Sequence, residues 1–312
     1  MGCLKVAFFF MFFGAINKEC VSIMLLKNTV LKSISTAAML VVSFCGLSAN
    51  AIAAVTFQGQ CEQGALVRGA VPVGSKVLLN GQSVKVTPNG QFAIGFDRDA
   101  KSEQVFKVIY PDGLTEIKPL TIAARQYQID RVTGISQKIM KPDPVAQARA
   151  AKDAKQTRAA RDLFSQQQAF MQTFIWPVTG RISGVYGSQR VYNDVPGNPH
   201  FGVDVARPTG TVVVAPADGV ITLAEPDMFY SGGTVIIDHG YGVSSTFLHL
   251  SKLYLTVGDK VVQGDKVAEI GATGRVTGPH LDWRLNWFQM RLDPVSIVPS
   301  MATVLAAEKA AK

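Results

Sequence analysis

From Val55 onward, apolar and polar residues alternate in short runs instead of recurring every three or four positions. "SKVLLNGQSVKV" places alternating apolar residues on both sides of Asn80-Gly81, a dipeptide that favours a two-residue hairpin turn. "VTPNGQFAIGF" and "VFKVIYPDGLTEIKPLTI" repeat the device at Asn89-Gly90 and at Pro111-Asp112-Gly113. Short strands separated by such turns predict a small β-sandwich over residues 55–141. This segment holds no histidine and no catalytic cluster, so it reads as a spacer or an adhesive module.

The pattern changes at Pro142. "DPVAQARAAKDAKQTRAARDLFSQQQAFMQTF" is rich in Ala, Arg, Lys and Gln, all strong helix formers. Asp143 is placed to cap a helix, with Pro144 at its first position. Apolar side chains become dense only after Leu163. The first half is therefore expected to be a solvated connector, and Leu163, Phe164, Phe170 and Met171 to dock on a neighbouring domain. Residues 142–175 form a helical linker in this reading. Across 176–298, "GTVVVAPADGVITLAE", "GGTVIIDHGYG", "SSTFLHLSKL" and "GDKVVQGDKVAEIG" read as successive strands with tight turns. No long helical period interrupts them, so an antiparallel β domain is expected, followed by an Ala/Lys-rich tail at 299–312. The fold class is mainly β: sandwich, helical linker, antiparallel domain.

Residues 1–54 follow a different grammar. After Met24, Lys27 and Lys32 precede the apolar "SISTAAMLVVSFCGLS", and "SANAIAAV" supplies small residues for cleavage between Ala51 and Ala54. That is the pattern of a secretory signal, and it predicts export to the periplasm or cell envelope. Cys3, Cys20 and Cys45 fall within residues 1–54, the N-terminal extension and signal together, and bulky Phe44 argues against lipid attachment at Cys45. Cys61 is then alone, which excludes an intrachain disulfide and predicts a buried thiol. Removing four Lys and one Glu from the 31 basic and 23 acidic residues leaves 27 against 22. This mild positive excess suits an anionic envelope polymer. No basic run carries interleaved aromatics, so nucleic acid is excluded as a partner.

All four histidines, His200, His239, His249 and His280, lie in the last domain. Asp204 and Asp282 sit near two of them, and imidazole with carboxylate is the natural non-sulfur donor set for zinc. His200 and Asp204 are four apart; His280 and Asp282 are two apart. Even separations on a strand put both members on one face. Two such pairs suggest a three-ligand site with one histidine left over. His239, just before a turn, reads as structural or groove-lining. Asp238 beside it is expected to be solvated, and Trp283 and Trp287 to face the core. Arg190, Tyr192 and Asn193 lead into His200 and are candidates for a substrate groove. Asp218, Asp259 and Asp265 adjoin glycines and read as turn residues.

"PHFGVDVARPTGTVVVAPADGVI" and "IIDHGYGVSSTFLHLSKLYLTVGDKVVQGDKVAEIGATGRVTGPHLDW" together resemble the lysostaphin-type zinc metallopeptidases, which cut peptide cross-links of bacterial peptidoglycan. The resemblance covers roughly 176–294. It implies Zn2+ held by His200, Asp204 and Asp282, with His249 and His280 as catalytic residues. Where the family motif reads His-x-His, this chain has His280-Leu281-Asp282. Two carboxylates should then make the metal a weaker Lewis acid than one would. The implied function is an exported endopeptidase acting on peptidoglycan, with envelope proteins as further partners of the N-terminal module. The alternative is an inactive relative that serves as a binding module or activates other wall hydrolases.

Overall fold

The computed structural model describes residues 55–133 and 143–311; the expected signal and its three cysteines lie outside them. In the N-terminal module, Thr56–Gln58, Leu66–Ala70 and Gln91–Gly95 form one sheet. Lys76–Leu79, Gln82–Val84, Glu103–Ile109 and Thr115–Thr121 form the other. The inward residues of both sheets, among them Val67, Val77, Phe92, Ile94, Phe106 and Val108, make one core. The hairpin at Asn80-Gly81 forms as the sequence predicts. Both residues adopt positive φ, 51° and 80°, which is the turn whose twist matches the flanking strands. Cys61 is free but only half-buried, so the expectation of a buried thiol is corrected.

The helix runs over Pro144–Asp162, with Asp143 accepting from the backbone N–H groups of Val145 and Ala146. Its first half is mostly exposed, as expected, but the helix does not stand free of the second domain. It lies along the strand Gly219–Met228, where Arg149 pairs with Asp227 at 2.7 Å and Gln156 bonds Glu225 at 3.0 Å. It also stops earlier than its composition suggests. Gln167 donates to Asp238, Ser165 bonds the same carboxylate, and the Tyr241 N–H donates to the Ser165 carbonyl. These tertiary partners replace the next helical turn. Phe170 is consequently buried and Met171 partly so, but Leu163 and Phe164 stay exposed, contrary to expectation.

The second domain is built on a sheet in the order Lys260–Val261, Gly219–Met228, Gly232–Gly240, Val243–Leu253, Leu281–Trp287, Val203–Ala206 and Arg181–Gly184. All neighbours on this path are antiparallel. One face carries Val203, Val205, Val235, Ile237, Phe247, Leu281, Trp283 and Leu285 into the core. Trp283 is fully buried and Trp287 is half-buried between the two cores. The other face carries Asp204, Asp238, Thr246, Asp282 and Asn286 at alternate positions, with Ile236 in a smaller apolar cluster that includes Ala160 of the helix.

The N-terminal module is not a detached spacer. Arg125 pairs with the buried Asp293 at 2.8 Å. The strand Ile129–Val132 adds in parallel to Gln189–Tyr192, two residues of which lead into the histidine-bearing loop. Arg98 Nε donates to the Gly187 carbonyl at 2.9 Å. A side chain at Gly187 would collide with the Tyr127 ring, so glycine permits that ring to lie against the backbone.

Asp238 is buried, not solvated, because it ties the 165–167 segment to the sheet. His239 is fully buried on the same strand. Its Nδ1–H donates to the Asp218 carbonyl at 2.7 Å and its Nε2 accepts from Ser245 Oγ at 2.9 Å, which fixes the neutral tautomer. Burial pushes its pKa down to about 4, outweighing the nearby carbonyl and carboxylates. The unfolded chain takes up this proton near pH 6.5 and the folded chain only near 4, so stability falls as pH drops through that window. We expect His239→Gln to lose about 3 kcal/mol less than wild type between pH 7 and pH 4, read by urea unfolding at both pH values.

Candidate metal centre

The site begins with strand register. Val203–Ala206 pairs with Leu281–Trp287 so that Asp204 faces Asp282 directly, while the flanking pairs Val203↔Trp283 and Val205↔Leu281 point into the core. Apolar alternation on both strands thus forces the two carboxylates onto one side of the sheet. Glycines let them lie flat. A Cβ at Gly184 would stand 2.2 Å from Asp204 Oδ2, and one at Gly202 2.3 Å from Asp282 Oδ1. The other two oxygens face His200.

His200 comes from the loop before the strand, not from the strand itself as its spacing from Asp204 suggested. Its backbone is clamped twice, by Gly187 N–H to the His200 carbonyl at 2.7 Å and His200 N–H to the Ser188 carbonyl at 2.8 Å. The ring Nδ1–H donates to the Val185 carbonyl at 3.2 Å, leaving Nε2 for the carboxylates. Nε2 lies 3.1 Å from Asp204 Oδ1 and 3.5 Å from Asp282 Oδ2. One donor atom from each of these three residues falls within 4.8 Å of the others.

His280 and Asp282 share a face, and His280 Nε2 lies 3.8 Å from Asp204 Oδ1. Its Nδ1–H donates to the Gly278 carbonyl at 2.8 Å. His249 reaches the same place by a less direct route. On the strand Val243–Leu253, Phe247 and Leu250 both face the core, though strict alternation would send Leu250 outward and His249 inward. A register shift opposite Gly233–Val235 inserts one extra residue, and His249 absorbs it with φ 66°. The bulge turns its imidazole out to within 4.9 Å of the His280 ring centroid. Its Nδ1–H donates to the Thr273 carbonyl at 2.9 Å, and burial lowers its pKa, keeping the ring neutral.

Arg284 is the residue that sequence reasoning missed, although it has the same strand parity as Asp282. Its Nε donates to Asp282 Oδ1 at 3.0 Å and Oδ2 at 3.1 Å, and its Nη2 to Oδ2 at 2.6 Å. Burial would raise the Asp282 pKa, but the guanidinium and His200 more than reverse this and hold the carboxyl ionised, far below its usual range. The same groove is lined by Arg190, Tyr192, Asn198, Arg275 and Arg284; Asn193 is not among its walls.

These residues fit a divalent cation. Asp204 Oδ1 is buried and accepts no hydrogen bond, although it faces two imidazole Nε2 atoms. Each imidazole commits its Nδ1–H to a carbonyl, so neutral rings present lone pairs toward a carboxylate. Such a convergence calls for a positive charge at its centre. Burial lowers the His200 pKa, but hydrogen bonding and charge from Asp204 and Asp282 overcome this and raise it to about 10, which shows how strongly the two carboxylates favour positive charge between them. One imidazole and two carboxylates are borderline-to-hard donors suited to zinc.

Residues 198–294 match the model of Peptidase family M23. The peptidoglycan DD-endopeptidase ShyA of Vibrio cholerae is 38% identical over 120 residues, covering 36% of this chain and 28% of that protein. The DD-carboxypeptidase/endopeptidase Mpg of Neisseria meningitidis is 39% identical over 112 residues, covering 36% of this chain and 26% of that one. The chain thus spans little more than a quarter of the length of these relatives. The crystal structure of a peptidase M23 from Pseudomonas aeruginosa superposes with a TM-score of 0.59 at 26% identity, covering 77% of this chain and 95% of that one. The chain carries, over residues 198–294, a domain of peptidase family M23, the lysostaphin-type family.

Proposed function

We propose that this chain is an exported, zinc-dependent endopeptidase that hydrolyses peptide cross-links of bacterial peptidoglycan. The convergence of His200, Asp204 and Asp282, with two further imidazoles beside them, carries this reading. The names of the relatives support the substrate class, and the pattern after Met24 supports export to the periplasm or cell envelope.

His200, Asp204 and Asp282 would hold the metal. A zinc ion held there would supply Lewis acidity, polarising the scissile carbonyl and making water a better nucleophile near neutral pH. His249 and His280 both keep Nδ1 protonated against a backbone carbonyl, so each presents Nε2 to the groove. One of the two accepts a proton at Nε2 from the attacking water. The other steadies charge on the former carbonyl oxygen or passes a proton to the leaving amine; His280 Nε2 lies 3.8 Å from Asp204 Oδ1. The groove walls orient the peptide, with Arg190 and Arg275 available to anionic groups along it. The N-terminal module would meet envelope proteins on its exposed sheet surfaces.

His200→Ala and Asp204→Ala should purify without stoichiometric zinc while wild type retains it, measured by elemental analysis; equal zinc in all three would count against the ligand set. His280→Ala should keep its metal yet release muropeptides from purified peptidoglycan about 10²–10⁴-fold more slowly. Wild-type release by that variant would exclude the catalytic role. New amino termini, appearing with wild type and abolished by chelator, would identify the bond that is cut.

A further inference from the structure

Asp282 and Arg284 stand two residues apart on one strand and therefore on one face, and they are joined by a forked hydrogen bond. Their side chains are 3% and 23% exposed, so water screens the pair little. Among the described residues, Asp282 is the one acid in an ion pair with Arg284. The neighbouring cations do not relieve it: Arg161 and Arg291 lie near enough to repel. Across the sheet, Arg284 faces Thr246, whose hydroxyl already bonds Arg161 at 3.3 Å. The guanidinium's hydrogen bonds thus go to the one carboxylate, with Asp204 attracting it from farther off, and the oxygen it grips most closely, Oδ2, is the one turned toward His200.

We infer that Arg284 is a positioning and charge-setting residue of the metal centre: it holds Asp282 in one orientation and cancels its charge, so that the pair acts toward a cation as a single neutral ligand. This rests on the metal-centre reading given above. Of the three ligands, His200 is neutral once it has given up its proton, Asp204 carries one negative charge, and Asp282 carries one that Arg284 offsets. The cation then meets a net charge of one carboxylate instead of two. The weakening of Lewis acidity expected from a second carboxylate is largely removed. Arg284 trades tightness of metal binding for electrophilic strength, because a positive charge close to the cation lowers affinity while leaving the metal's own charge less quenched.

The sign of the affinity change separates this role from simple orientation. Zinc affinity is measured by competition with a chromophoric chelator on the full chain, for wild type, R284K, R284Q, D282H and D282H/R284Q. We expect R284Q to bind zinc about tenfold or more tightly than wild type, while releasing muropeptides more slowly. R284K, which keeps the charge, should stay within about threefold of wild-type affinity. D282H should bind more weakly than wild type, since Arg284 would then face the cation without its carboxylate, and D282H/R284Q should recover that loss. Weaker or unchanged binding by R284Q, with circular dichroism matching wild type, would overturn the inference. So would D282H binding as tightly as the double variant, a comparison that does not depend on R284Q folding alone. Wild type that binds no divalent cation would overturn the metal-centre reading itself, whereas zinc-loaded wild type with unresponsive Arg284 variants would overturn this inference only.

Discussion

Two carboxylates set side by side across an antiparallel pair repel each other, and nothing in the local chemistry of Asp204 and Asp282 favours their juxtaposition. It is imposed from behind. Val203, Val205, Leu281 and Trp283 fill the core, and any slip of one residue would turn these apolar side chains outward. Hydrophobic burial on one face of the sheet therefore holds an electrostatic conflict on the other. Arg284 offsets Asp282, and the buried Oδ1 of Asp204, which faces only the imidazole nitrogens of His200 and His280, is left to be met by a proton or another cation. Such an arrangement would favour a cation, because the fold's core makes separation of the anions too costly.

Backbone geometry supplies the remaining imidazole. Plain alternation would have buried His249 beside Phe247. The bulge reverses it, at the cost of a left-handed conformation that a non-glycine residue seldom adopts. Such departures are found where a side chain has to be re-aimed, and here the re-aimed ring stands next to His280.

Much of this was legible along the chain. The hairpin dipeptides gave the strands of the module, and the concentration of histidines gave the domain in which to look. Parity placed His280 with Asp282. For His200 the parity argument reached the right neighbourhood through wrong geometry, because this residue is delivered by a loop clamped to Gly187 and Ser188. Other features were illegible for physical reasons. A bulge has no local composition of its own, so nothing in "FLHLS" reports it. The end of the helix at Asp162 depends on hydrogen bonds to Asp238, more than seventy residues away. The burial of Asp238 follows from the same contacts. Arg284 was overlooked because charged residues on an exposed face are ordinarily solvated, and only the folded strand shows that this one bonds Asp282.

The clamp on His200 reaches beyond its own domain. Gly187 is held from the far side by Arg98 and lies against Tyr127, and the adjoining Gln189–Tyr192 strand is bordered by Ile129–Val132. Three segments that sequence reading assigned to the N-terminal module therefore buttress the loop that presents His200. Excising the family domain at its sequence boundary would strip that buttress and bare a strand edge beside the groove. A fragment made that way would be a different molecule, and its behaviour would report on a loosened centre as much as on the chemistry of the intact chain.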